Sequence, residues 1–333
     1  MSNHSILVIL QIKQMKTIVI LVFPMVFFIT VHAQKWTNFS ADGSLTQLCN
    51  NNVNVITVDR DGSTLWIGTA EGLSKFDGVS WTTYTNDNGL AGNAVTSVDV
   101  DLTGNKWIGT FKGLSKFDGM DWTTYNVTSG LPDNIVRCVR TDLTDAVWVG
   151  TDEGISVFNG SNWVTYRHKD GLIYNMVTAI AIDEQGTKWI GTPFGVSEFD
   201  GKKWTNFTTA QGLVDDYIFS IAIDAKGNKW FSTRNGVSEF DGTKWTTFTT
   251  SNGLANNHAY IIVTDVSGKN WIGYGGEDGG VSKFDGTKWI NYTSKSGLAS
   301  DNVLTIAIDD QGVKWFGTQG NGLSKLEDGD AKK

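Results

Sequence analysis

Histidine, cysteine and positive charge are what this 333-residue sequence has least of, and each shortage narrows its chemistry. It holds four histidines, two cysteines, and 27 Lys and Arg against 35 Asp and Glu. Cys49 and Cys138 fall at non-equivalent positions of the internal repeat, so no disulfide framework is expected to hold the chain together. Only His168 and His258 lie beyond the first 33 residues. Without an H-x-x-H-like pair, a G-x-S-x-G string or a cysteine matched to a histidine, neither catalytic residues, a metal site nor a cofactor is expected. Asp59-Arg60-Asp61-Gly62 starts like a calcium loop but lacks the later ligands, and reads as a turn. The acidic balance argues against nucleic acid or an anionic membrane surface as partner.

Long apolar runs are missing too, with one exception. Lys13 and Lys16 precede the run Thr17 to Val31, which Pro24 interrupts, and Val31-His32-Ala33 ends in the small residue that a signal peptidase needs. Residues 1–33 are therefore expected to be a signal peptide cleaved after Ala33, with the mature chain periplasmic or secreted and not inserted in the membrane. Met15-Lys16 would itself make a normal start for such a peptide. These 33 residues carry two of the basic side chains and no acid, so their removal takes the net charge from −8 to −10.

Tryptophan, by contrast, is abundant and periodic. Trp66, Trp107, Trp148, Trp189, Trp230, Trp271 and Trp315 open W-I-G-T-like strings; Trp36, Trp81, Trp122, Trp163, Trp204, Trp245 and Trp289 open W-T-x-Y-like strings. Together they are all 14 tryptophans of the chain, which leaves none for a special role. The period, 41 residues between most members of the first set, is that of a repeat architecture. Each unit reads V-x-x-I-x-x-D-x-x-G-x-x-W-I-G-T-x-x-G-L-S-K-F-D-G-x-x-W-T-x-Y. Short β-rich runs (Val95 to Asp101, Lys106 to Thr110, Gly113 to Phe117, Trp122 to Tyr125) alternate with Asp and Gly turns, and no stretch of helical length has a 3.6-residue period. Four strands per unit make a propeller blade.

A lone unit buries too little to offset the ordering of about 40 residues, so units must stack and the ring must close. The chain after Ala33 begins with a fourth strand, Trp36 to Phe39, and ends with three: Val303 to Asp309, Lys314 to Thr318 and Leu323 to Leu326. The expected fold is all-β: a seven-bladed β-propeller of four-stranded antiparallel blades over residues 34–327, its last blade closed by the N-terminal strand. A short solvated tail, 328–333, follows, and the closed ring is expected to be monomeric.

The W-I-G-T-x-x-G-L strings, for example Trp66 to Leu73, Trp107 to Leu114, Trp148 to Ile155 and Trp189 to Val196, follow D-x-x-G and precede linker pairs such as Gly89-Leu90, Gly130-Leu131, Gly171-Leu172 and Gly212-Leu213. In this the sequence resembles the two-component regulator propeller repeat family over nearly all of residues 36 to 326. The resemblance implies a propeller of the periplasmic-sensor type found in bacterial hybrid histidine kinases, often responsive to glycans, here without a kinase or receiver segment of its own. A protein-interaction scaffold in an exported assembly is the alternative. A propeller lyase or lactonase is a third reading with little to support it, since fold alone does not give function.

Positions that repeat in every unit serve packing and turns, so function belongs to positions that differ. Aromatic and hydrogen-bonding residues gather in the loops of three consecutive units: Tyr174, Phe194, Tyr217, Arg234, Asn235, His258, Tyr274, Glu277 and Asp278. Flat apolar rings beside donors and acceptors suit a small glycan or peptide at the channel mouth. Three residues inserted between Trp271 and Trp289 enlarge one loop to G-Y-G-G-E-D-G-G, a candidate contact element with no evident packing role.

Overall fold

Seven four-stranded antiparallel sheets, six of them paired in simple meander order and the seventh completed by the N-terminal strand, make up the computed structural model, which describes residues 34–43, 48–276 and 278–327. The expected signal peptide, the tail and Glu277 lie outside the described residues. We number the blades 1 to 7 by their first strands: Val53–Val58, Val95–Val100, Val136–Thr141, Ala179–Ile182, Ile218–Ile223, Ala259–Thr264 and Val303–Ile308. Blade 2 continues with Lys106–Thr110, Gly113–Phe117 and Trp122–Tyr125, as the repeat predicts.

The ring closes through the N-terminal strand Lys35–Phe39, which pairs with Leu323–Glu327 in the register Trp36 to Leu326 and Phe39 to Leu323. Closure reaches beyond that sheet. Trp36 lies 5.6 Å from Phe316 and 6.0 Å from Tyr292 of blade 6, while Phe39 lies 6.0 Å from Phe76 and from Trp81 of blade 1. The buried residues fall into seven clusters, each shared by two adjacent blades. One of them joins Trp315 and Leu323 of blade 7 to Val53, Ile56 and Phe76 of blade 1. Every blade therefore buries both faces.

The tryptophan of each second strand is buried in these seams, and its indole N–H needs a partner there. The Asp of the preceding D-x-x-G turn supplies it in all seven blades. Trp66 donates to Asp59 (2.8 Å), Trp107 to Asp101 (2.9 Å), Trp148 to Asp142 (3.0 Å), Trp189 to Asp183 (3.4 Å), and Trp230, Trp271 and Trp315 to Asp224, Asp265 and Asp309 (3.1 Å each). The other carboxylate oxygen closes the turn itself: Asp101 accepts from the backbone N–H groups of Thr103 and Asn105. At the seams of Trp66, Trp148 and Trp189 a lysine opening the next blade's second strand completes the group. Lys106, Lys188 and Lys229 approach Asp59, Asp142 and Asp183 at 2.9, 3.2 and 3.8 Å and stand 5.3, 4.8 and 5.1 Å from the ring centres of Trp66, Trp148 and Trp189.

Two glycines explain the tightness of the seams. A Cβ on Gly109 of the W-I-G-T string would come within 2.7 Å of Val136 in the next blade. Gly89, at φ 112°, would place one within 2.8 Å of Trp122. The linkers after blades 1 to 6 are single 3-10 turns anchored from seven residues on, as when Asn93 accepts from the N–H of Asn86. A buried serine of the following blade then accepts the next linker N–H, Ser115 from Ala91 at 2.8 Å. Pro132 has no N–H to give, and there Ser156 turns to Thr165 instead, at 2.5 Å.

Removing residues 34–43 should open the ring. Loss of the half-buried Trp36 side chain and of the strand's pairing with Leu323–Glu327 is expected to give a large fall in melting temperature; a truncated protein that melts with the wild type would refute closure.

Burial works against ionisation of Asp142, but hydrogen bonds from Thr144, Trp148 and Lys188 outweigh it and lower its pKa from 3.8 to about 2. A depressed carboxylate stabilises the fold fully above its unfolded pKa and loses that contribution as pH falls through its folded one. Asp142→Asn should therefore lower the melting temperature most at neutral pH, with the gap to wild type shrinking between about pH 4 and pH 2. A gap that is constant with pH would contradict this.

Candidate functional site

The first strands line the central channel, and the residue that follows Val53, Val95, Val136, Val177, Ile218, Ala259 and Val303 there differs between most blades. In six of the seven the pairing register slips by one across this residue, a bulge that re-aims its side chain. Around the ring these positions hold Asn54, Thr96, Arg137, Thr178, Phe219, Tyr260 and Leu304, and all seven line a cavity of about 430 Å³. Of these seven, those of blades 1 to 4 are polar or charged, and those of blades 5 to 7 are apolar or aromatic.

Aromatic rings cluster on blades 5 and 6. Phe219 has Tyr217 at 4.8 Å, Tyr260 at 5.2 Å and, edge-on, His258 at 5.0 Å between ring centres. The Arg234 guanidinium stands over the Tyr217 ring at 3.8 Å. His258 turns Nδ1 to the Gly275 carbonyl at 3.1 Å, so that nitrogen carries the proton. Burial raises the pKa of the Tyr260 phenol, with Tyr217 adding to the shift and Arg137 opposing it. Across the channel on blade 3, Arg137 is gripped by Asp152 through Nε to Oδ1 and through Nη2 to Oδ2 at 3.1 Å. That hydrogen bond, opposed by burial, raises the arginine pKa further.

Of the residues expected from sequence, Tyr217, Arg234 and His258 come together around Phe219. Tyr174 and Phe194 form a separate exposed pair with ring centres 4.5 Å apart, and Tyr174 lines a different depression with Asp152, Glu153 and His168. Asn235 is engaged by Asp215 at 2.7 Å. Asp278 is exposed, and its carbonyl accepts from Asn256 at 3.2 Å.

Tyr274 is a correction. It is not on the rim but fully buried, as the last residue of the strand Asn270–Tyr274, where the other blades have Thr69, Thr110, Thr151, Thr192, Thr233 and Thr318. Its phenol, pushed up to about 12 by burial against a hydrogen bond with Ser282, donates to Ser282 Oγ at 2.7 Å. Ala259 faces it across the pair, where blade 2 sets Val95 against Thr110, so a smaller neighbour makes room for the larger ring. The inserted glycines also have a packing role, because a Cβ on Gly279 would come within 2.2 Å of the Tyr274 side chain.

Sequence reasoning passed over Phe219, Tyr260 and Arg137. Their signal was present, since the second residue of V-x-x-I differs in nearly every unit, but strand alternation alone does not show that a bulge aims it into the channel.

Fold and channel together define a closed seven-bladed β-propeller with a two-faced central cavity. The profile of the two component regulator propeller family matches residues 47–71, within the first repeat. The structure is similar to the extracellular domain of a putative hybrid two component system from B. thetaiotaomicron, with 25% identity over 89% of this chain and a TM-score of 0.77. This chain spans 41% of that protein's length. The resemblance to the two-component regulator propeller family thus holds in sequence and in structure. Virginiamycin B lyase from Staphylococcus aureus shares the fold at 14% identity, covering 88% of this chain and 98% of that one, with a TM-score of 0.70. PorZ, a surface component of the type-IX secretion system of Porphyromonas gingivalis, shares it at 16% identity, covering 94% and 49%, with a TM-score of 0.66. No curated protein matches the sequence.

Tyr274→Phe should cost about 0.5–1.5 kcal/mol through loss of the Ser282 hydrogen bond and leave ligand affinity unchanged, as chemical denaturation and calorimetry would show. An affinity loss without a stability loss would return Tyr274 to the site.

Proposed function

We propose that this chain is an exported ligand-binding propeller of sensor type, which takes a small glycan or peptide at the channel mouth without catalysing a reaction there. One observation carries the reading: the channel-facing positions of the first strands differ from blade to blade, and their aromatic arc continues up to the mouth through Tyr217 and His258. Repetition alone would give seven equivalent blades, so the asymmetry answers to something other than packing. Similarity to the extracellular propeller domain of a two component system supports a sensing role and a place outside the cytoplasm. The lyases, at 14% identity, support the fold alone.

A scaffold reading has an observation of its own. Val79, Leu102, Met120 and Leu143, in turns of blades 1 to 3 on the face away from the linkers, are exposed. Corresponding turns of blades 4 and 5 carry Glu184, Gln185, Lys202, Lys203, Lys226 and Lys244. Apolar side chains gathered there suit a protein partner.

The channel reading is tested by screening the protein from Gln34 onward against glycans and peptides by thermal shift, then measuring affinity by calorimetry. Tyr217→Ala and Phe219→Ala should each cost about 2 kcal/mol or more, and Glu71→Ala much less. Equal, negligible effects at all three would move the site elsewhere and favour the scaffold.

A further inference from the structure

The cavity is unlike the rest of the chain in charge. The protein is acidic, yet the described residues lining the cavity include Arg137 and Arg140 and no carboxylate. The nearby Asp99 turns its carboxylate to the N–H and hydroxyl of Thr141, at 2.6 and 2.7 Å. Arg137 is also held in a way that leaves it able to bind. Asp152 takes one edge of the guanidinium, Nε–H and one Nη2–H, which fixes the plane of the group. The other edge, two N–H of Nη1 and the second of Nη2, is the fork that matches a carboxylate in two parallel hydrogen bonds. On the aromatic arc of the ring stand Phe219 and Tyr260, their ring centres 5.2 Å apart.

We infer that the channel, taken as the binding site proposed above, selects an organic anion: a carboxylate attached to a ring, with the carboxylate on the free edge of Arg137 and the ring against Phe219 and Tyr260. A cavity of about 430 Å³ accepts a ligand of one or two rings. Asp152 is a positioning residue that aims the arginine. A sugar acid and an aryl acid share this chemistry, so the two sources are separate arms of the test.

Two matched pairs serve as probes: 4-hydroxyphenylacetate with 4-hydroxyphenylacetamide, and a glucuronate-terminated disaccharide with its glucose-terminated counterpart. Binding to the protein from Gln34 onward is followed by ligand-observed NMR up to about 10 mM. In at least one pair the acid should bind about tenfold or more tightly than its neutral partner. Arg137→Gln combined with Asp152→Asn, which avoids stranding a lone carboxylate, should bring the pair to within about twofold and weaken the acid alone. Phe219→Ala should weaken both members. Melting curves of each variant establish folding, and Arg137→Lys, which keeps the charge but not the fork, should restore only part of the preference. Acid and neutral probes binding equally, a preference that survives the double variant, or no binding by either acid would overturn the inference. If binding equalises yet still depends on Phe219, the channel site stands and only the anion selectivity fails. If binding ignores Phe219 and Tyr217 altogether, the channel reading itself falls.

Discussion

A buried indole N–H next to a turn carboxylate is the interaction on which the rest of this propeller depends. Tryptophan provides a large apolar body for the seam between blades, but it brings a donor that cannot be left unpaired there. The Asp of D-x-x-G answers that need in every blade, and in blades 2 to 7 its second oxygen closes the hairpin before the tryptophan strand, a task that Asp61 takes over in blade 1. One residue thus couples a local turn to a long-range seam. At the seams of Trp66, Trp148 and Trp189 a lysine from the following blade ties the pair to its neighbour, so the same carboxylate also joins blade to blade. Where the turn departs from the pattern the geometry persists: Asp145 replaces the glycine and is the one described non-glycine residue at positive φ, 67°. Its carboxylate accepts from the N–H of Leu102 in the adjacent blade, at 2.9 Å.

Seven such seams around a ring dictate what the centre can be. The first strands converge on the axis, and the residue at the bulge that six of them carry is among those lining the channel. Packing constrains the residues on either side of the bulge, such as Val136 and Val139, which are fully buried. It does not constrain Arg137 between them. A scaffold built from near-identical units therefore offers a ring of seven independent choices, and this chain has spent them unevenly, with an arginine on one side and aromatic rings on the other. The fold resembles sensor and lyase propellers alike; what separates readings is the chemistry of that ring and of the loops above it.

Blade 6 shows how an exception to the repeat spreads. Tyr274 in place of threonine needs a smaller partner, Ala259, a hydroxyl to accept from it, Ser282, and glycines that keep the backbone clear of its ring. The enlarged loop is at least in part the consequence of one buried side chain. The loop's other side leads to the channel, since Gly275 holds His258 and His258 lies against Phe219. Packing and candidate site are thus adjacent, and a loop that looked purely like a contact element in sequence serves both.

Blade number, strand order and closure were legible in the sequence because each rests on features that repeat: paired tryptophans, Asp-Gly turns and a spare fourth strand at the front of the chain. Part of the candidate cluster was legible as well, since Tyr217, Arg234 and His258 stand out as exceptions in loops and come together around Phe219. What the sequence could not decide was direction. Tyr274 sits one residue inside a strand rather than in the loop, so its ring points into the core. Phe219, Tyr260 and Arg137 sit on bulges, so theirs point into the channel. Both outcomes depend on how a strand lies against its neighbours, and two residues can stand on one face of a ring only after the ring has closed.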